Sequence, residues 1–142
     1  MYVSFAVFAD AANLSQEGKL NILGVFDAVQ VGGFPSVHPR SSFVVRLKGT
    51  SEDEGQHTLG FRWLDPSHNE LWSSSGDLNV GAGPDPNFEM DLPIIAVIDL
   101  PVNGPGPYTM EVSLDGTPTA DVRLFVAGPS PTVMPPTPAM FS

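Results

Sequence analysis

Apolar side chains in this chain recur at every second position, in runs that glycine and proline interrupt every ten residues or so. A period of two puts successive side chains on opposite faces of an extended backbone, so each run reads as a strand with one face for a core. The last pair is the cleanest. Tyr108, Met110, Val112 and Leu114 alternate with Thr109, Glu111 and Ser113; Asp115-Gly116 supplies a tight turn; Ala120, Val122, Leu124 and Val126 form the returning core face. At the other end, Val3, Phe5 and Val7 alternate within a strand over 2–9. Turn residues Asn13 to Gly18 follow, and then a second strand over 19–26.

Between these pairs the same reading predicts a hairpin of Ser42–Lys48 with Thr58–Trp63, closed by the acidic loop Gly49–Gly55. It also predicts a short strand over 71–74 and a long apolar stretch from Phe88 to Leu100. The run Ile94–Ile98 within that stretch is apolar on both faces, which predicts a buried strand with Pro93 at a bulge or a sheet switch. Two prolines and a glycine pair in Gly32–Pro39 predict a loop, and Gly76–Asn87 a long connection. About eight strands without a helix predict an all-β fold: a single antiparallel β-sandwich, with a closed barrel as the competing architecture. The Gly-Pro approach to Tyr108 resembles the tyrosine corner of immunoglobulin-like and fibronectin-like sandwiches. The domain is expected over residues 1–127. A proline-rich extension, 128–142, follows it and favours polyproline II conformation.

The chain has the length of one domain and no cysteine, so it carries neither disulfides nor thiolate metal ligands. A net charge of −10 with six basic residues argues against nucleic acid and against anionic membrane as partners. No leader-like segment precedes the first strand, and the longest apolar run is far below the about 20 residues that span a bilayer. The expected location is cytoplasmic.

Residues for chemistry are sparse. No serine sits in a nucleophile-elbow motif, and His38, His57 and His68 fall in or beside turns without zinc spacing. Asp10, Asp27, Asp65 and Asp77 lie near strand ends, where turn chemistry explains them more readily than calcium. No catalytic residue, metal ligand or cofactor is expected. Surface features remain. Arg46, Lys48 and Arg62 are expected on the outward face of one hairpin, as a positive patch for acidic groups of a partner or of the chain's own acidic loop. Trp72 and Phe34 are candidate aromatic anchors, and Val133, Met134, Met140 and Phe141 are spaced apolar anchors in the extension.

At Ala9-Asp10-Ala11-Ala12-Asn13, at Gly18 through Asp27 (Gly-Lys-Leu-Asn-Ile-Leu-Gly-Val-Phe-Asp) and at Phe34–Pro39, the chain resembles a family of small bacterial proteins classed as a domain of unknown function. The match covers most of 1–126, including Leu64–Pro66 and Gly106–Tyr108. The resemblance implies a compact β-domain and transfers no functional residue. The resulting expectation is a non-catalytic protein-binding or structural module of a larger assembly, with a protein partner or further copies of itself bound through tail and sheet surface. Decoration of a shell or virion-like particle is a variant. A small-ligand, calcium-dependent or enzymatic domain using loop Asp and His residues is the alternative.

Overall fold

The computed structural model describes residues 1–129. Nine strands form two sheets: β1 (Tyr2–Leu14), β2 (Leu20–Phe26), β3 (Ala28–Gln30), β4 (Ser36–Gly49), β5 (Gly55–Leu64), β6 (Glu70–Val80), β7 (Met90–Val102), β8 (Gly106–Leu114) and β9 (Thr117–Ala127). One sheet runs β2-β1-β4-β7 and the other β3-β9-β8-β5-β6. The architecture is an open two-sheet sandwich. All neighbours are antiparallel except β3 and β9, which run parallel. With β1-β4-β7 facing β9-β8-β5, the strand neighbours are those of an immunoglobulin-type sandwich, to which β2 is added outside β1.

The core is aromatic at its centre. Phe8 and Phe43 come from the four-stranded sheet, and Phe61, Trp63 and Tyr108 from the five-stranded one. Trp63 stacks on Tyr108 at 5.3 Å between ring centres and meets Phe8 edge-on at 5.9 Å. Its indole Nε1 donates to the Pro101 carbonyl at 2.8 Å, so the one polar atom of the ring is satisfied inside the core. The Tyr108 hydroxyl accepts from the Asn103 and Gly104 backbone N–H groups at 2.9 and 3.1 Å. Its own proton faces the Gly104 carbonyl at 2.7 Å and Asn103 Oδ1 at 2.8 Å. This is the tyrosine corner expected from the sequence. Asn103 extends it by donating to Asp65, a buried carboxylate that also accepts from Ser67 N, Asn69 N and Asn69 Nδ2. The turn between β5 and β6 is thereby tied to the corner before β8. Asp65 is turn chemistry, as its place in Leu-Asp-Pro suggests.

The structure departs from several expectations. Strands β4 and β5 are not a hairpin. The acidic loop forms a 3₁₀ turn at Ser51–Asp53, closed by a reciprocal Thr50–Asp53 capping box, and the chain crosses there from one sheet to the other. A ladder does form inside 32–39, because β4 starts at Ser36. Pro39 sits where the register with β7 shifts, beside Arg40 at φ +53°, so a missing N–H is tolerated. The connection expected from Gly76 begins later, since β6 continues to Val80. Strand β7 is an edge strand, and Pro93 lies in regular register opposite Arg46. A bulge in β1 between Val3 and Phe5 breaks the alternation. Val3, Ala6 and Phe8 therefore pack on the core, while Phe5 and Val7 face outward.

Candidate interaction surface

The two outer faces of the sandwich differ in kind. On the five-stranded sheet, one row across the strands reads Arg62, Glu111 and Asp121, and the next Leu64, Thr109 and Arg123. That face is charged, with Phe125 (53% exposed) as its large exposed apolar residue. On the four-stranded sheet, one row reads Val7, Val44 and Ile95, and the next Val25, Ala9, Ser42 and Val97. Leu23 and Ala11 form a further row beyond it. Val44 and Ala9 are fully buried, whereas Leu23 is 71% exposed and Val25 and Val97 each 61%. The large apolar side chains that this face exposes are therefore Leu23, Val25 and Val97. Large apolar side chains exposed on one face of a sheet are candidate contact points.

The bulge in β1 creates this face by turning Phe5 and Val7 outward to join Val44 and Ile95. The sequence held a signal for it. Apolar residues on both parities in Phe43-Val44-Val45 and Ile94–Ile98 serve two faces, of which one is the core and the other lies outside.

The expected positive patch does not form. Arg46 and Lys48 lie on the four-stranded sheet and Arg62 on the five-stranded one, because β4 and β5 are in different layers. Both arginines are also engaged within the chain, though not with the acidic loop. Arg46 makes a two-pronged pair with Asp91, 2.6 and 2.7 Å, and its guanidinium lies 6.0 Å from the Phe5 ring. Arg62 reaches Glu111 at 3.0 Å and Glu70 at 3.7 Å. Lys48 stands in the row of Tyr2 and Asp91, at the lower margin of the apolar face. Trp72 is not an exposed anchor: it lies opposite Trp63 and packs half-buried against the core, as does Phe34. Val133, Met134, Met140 and Phe141 lie outside the described residues.

The three histidines do not come together. His38 bonds Ser41 Oγ through Nδ1 at 2.7 Å, and His68 sits at φ +66° in the turn between β5 and β6. His57 lies at the opposite end, its Nδ1 2.7 Å from Asp115 and its Nε2 2.6 Å from the Asp53 carbonyl. Asp77 faces Thr58 at 3.4 Å, apart from Asp65. Among the described residues no three His, Asp or Glu side chains are grouped to hold a metal ion.

These pairs set a pH dependence. Asp115, held by His57, lies below the ordinary carboxylate value of 3.8. So do Asp53, held by the Met1 amino group and Thr50 N–H, and Asp91, held by Arg46. Asp65 is lowered by the Asn69 N–H and Asn103. His57 is raised above 6.5 by Asp115 and the Asp53 carbonyl. Carboxylates lowered by folding stabilise above their unfolded value and lose that contribution as pH falls through the folded one. A histidine raised by folding stabilises below 6.5 and loses the contribution as pH rises through its folded value. The melting temperature is therefore expected to be highest between about pH 4.5 and 6, to fall in acid and to decline slightly above about pH 6.5. A thermal scan series checks this, and His57→Gln should remove the alkaline decline and shrink the acid limb by the Asp115 share, leaving the part due to Asp53, Asp65 and Asp91.

The family model described as a family of unknown function (DUF6941) matches residues 4–127, nearly the whole described sandwich. The chain belongs to that family. The DUF6941 match begins within β1 and ends with β9, so it includes every strand of both sheets. Among curated proteins none matches the chain. No helix among the described residues of this DUF6941 member is long and apolar enough to cross a membrane.

Proposed function

We propose that the domain is a non-catalytic protein-binding module, a component of a larger assembly that contacts its partner through the outer face of the four-stranded sheet. The observation that carries this reading is the exposure of Leu23, Val25 and Val97 on the outer face of the four-stranded sheet, on a protein whose opposite face is charged. Desolvating such a face on a partner stabilises a complex, and the sheet presents it on a rigid backbone that orders little on binding.

A photo-crosslinking residue placed at Val97 or, as control, at Phe125 tests the reading in the cells that make the protein. Both positions are exposed, and they lie on opposite outer faces. A crosslinked adduct at position 97 with none at position 125 is expected. The reverse pattern, or equal adducts at both, contradicts the proposal.

A further inference from the structure

We infer that strand β6 is a docking edge for an extended segment of another protein, which adds to the five-stranded sheet as a further strand and places apolar side chains in a notch between the two sheets. This contact is separate from the outer face of the four-stranded sheet.

Strand β6 ends its sheet, so every second residue from Glu70 to Val80 turns its N–H and carbonyl away from β5. Ser73 to Asp77 are all exposed and in regular register with β5, without a lysine, a proline or a bulge. Those are the devices that keep an edge from pairing. The other edges have such interruptions or are short. Strand β7 carries Pro93 and Pro101, β2 turns at Gly24 with φ +71°, and β3 is three residues long. Among the described residues, β6 is the edge that offers a long uninterrupted run of backbone groups.

The notch specifies what the added strand carries. Register with Leu59, Phe61 and Trp63 puts Trp72, Ser74, Gly76 and Leu78 on the core side of β6. Trp72 and Leu78 pack against the core, whereas Ser74 and Gly76 between them are too small to cover it. A cavity of about 220 Å³ remains there, open at the edge, between Leu59, Phe61 and Leu78 of one sheet and Ile94 of the other. An apolar cavity of about 150 Å³ admits benzene, so this one has room for an aliphatic side chain. A strand beside β6 points alternate side chains into that space. Its remaining side chains lie along the outer row of Ser73, Ser75 and Asp77. Asp77 accepts from Thr58 Oγ1 at 3.4 Å and has no basic partner among the described residues. The segment is therefore apolar on one side and basic on the other, which complements a chain of net charge −10.

A second copy fits less well. Antiparallel pairing of the exposed span with itself centres on Ser75 and sets Ser74 against Gly76, so the notch stays empty. Two chains of this charge also repel one another.

The probe is the peptide acetyl-Thr-Lys-Leu-Lys-Leu-Lys-Thr-amide, whose leucines share one face of a strand and whose lysines share the other. Added to the full isotope-enriched chain, it is expected to shift the amide signals of Ser73 to Asp77 and the methyl signals of Leu59, Leu78 and Ile94. It should also slow the exchange of alternate amide hydrogens in that span. The same peptide with serine in place of both leucines should have no effect. Gly76→Leu fills the notch from within, where a Cβ meets no atom within 4 Å. It should weaken binding by about tenfold or more while the core methyl signals of Val112 and Leu124 stay in place. Ser74→Leu serves should that variant fail to fold. Undiminished binding by a folded, notch-filled variant would overturn the inference. So would shifts confined to Val25 and Val97, or none at about 1 mM peptide. Exchange protection of Ser73 to Asp77 that grows with protein concentration in the absence of peptide would assign the edge to a second copy and overturn it as well.

Discussion

Replacing Trp63 by alanine is expected to lower stability by about 3–5 kcal/mol, the range for removing a large aromatic from a packed core. For a domain of this size that is a fall of about 12–20 °C in melting temperature. Trp63 is fully buried at the point where the sheets meet, with Tyr108 stacked on one side and Phe8 against its edge. Alanine leaves a cavity that the strands cannot close, because each is fixed in register to its neighbours. It also leaves the Pro101 carbonyl without the indole donor. Trp63→Phe should recover much of the packing but not that hydrogen bond, and so fall between the two. Denaturant unfolding measures the loss. A shifted midpoint with an unchanged dependence on denaturant would show that stability was lost without a change in the surface exposed on unfolding.

The second large effect is expected from one oxygen atom. Tyr108→Phe keeps the stacked ring but removes the hydroxyl that the Asn103 and Gly104 N–H groups donate to. Two backbone donors inside a tight corner then lose their acceptor, at a cost of about 2 kcal/mol, or about 8 °C. Tyr2→Phe is the control: Tyr2 is 49% exposed, and its substitution should leave the melting temperature within about 1 °C. Because Asn103 joins the same hydroxyl to Asp65, the effects of Tyr108→Phe and Asn103→Ala should not add.

Much of this fold can be read along the chain. The final hairpin is visible because Tyr108 to Leu114 and Ala120 to Val126 alternate without a break and a turn residue pair stands near the midpoint. The tyrosine corner is visible because glycine and proline precede a core tyrosine. Pairing partners are less visible. A period of two says which side chains share a face, but not which strand lies alongside. Ser42–Lys48 and Thr58–Trp63 therefore look like a hairpin, although the Thr50–Asp53 capping turn carries the chain between layers. That error also produces the expected cation patch, since it puts Arg46 and Arg62 on one surface when they occupy opposite ones. The interaction face is hidden by the β1 bulge. Strict alternation puts Phe5 and Val7 with Val3, whereas one extra residue in the strand sends them to the outside. The two-sided run Ile94–Ile98 suggests burial on both faces; its strand is an edge strand, with Val97 on the outside.

We assign contact with another protein to the apolar outer side of the four-stranded sheet. The crosslinking comparison tests it most directly, because it reports contact in the cell at one chosen side chain. A protein adduct is expected when the reactive group replaces Val97 and none when it replaces Phe125. Adducts formed only from position 125 would assign the contact to the charged face and contradict the claim.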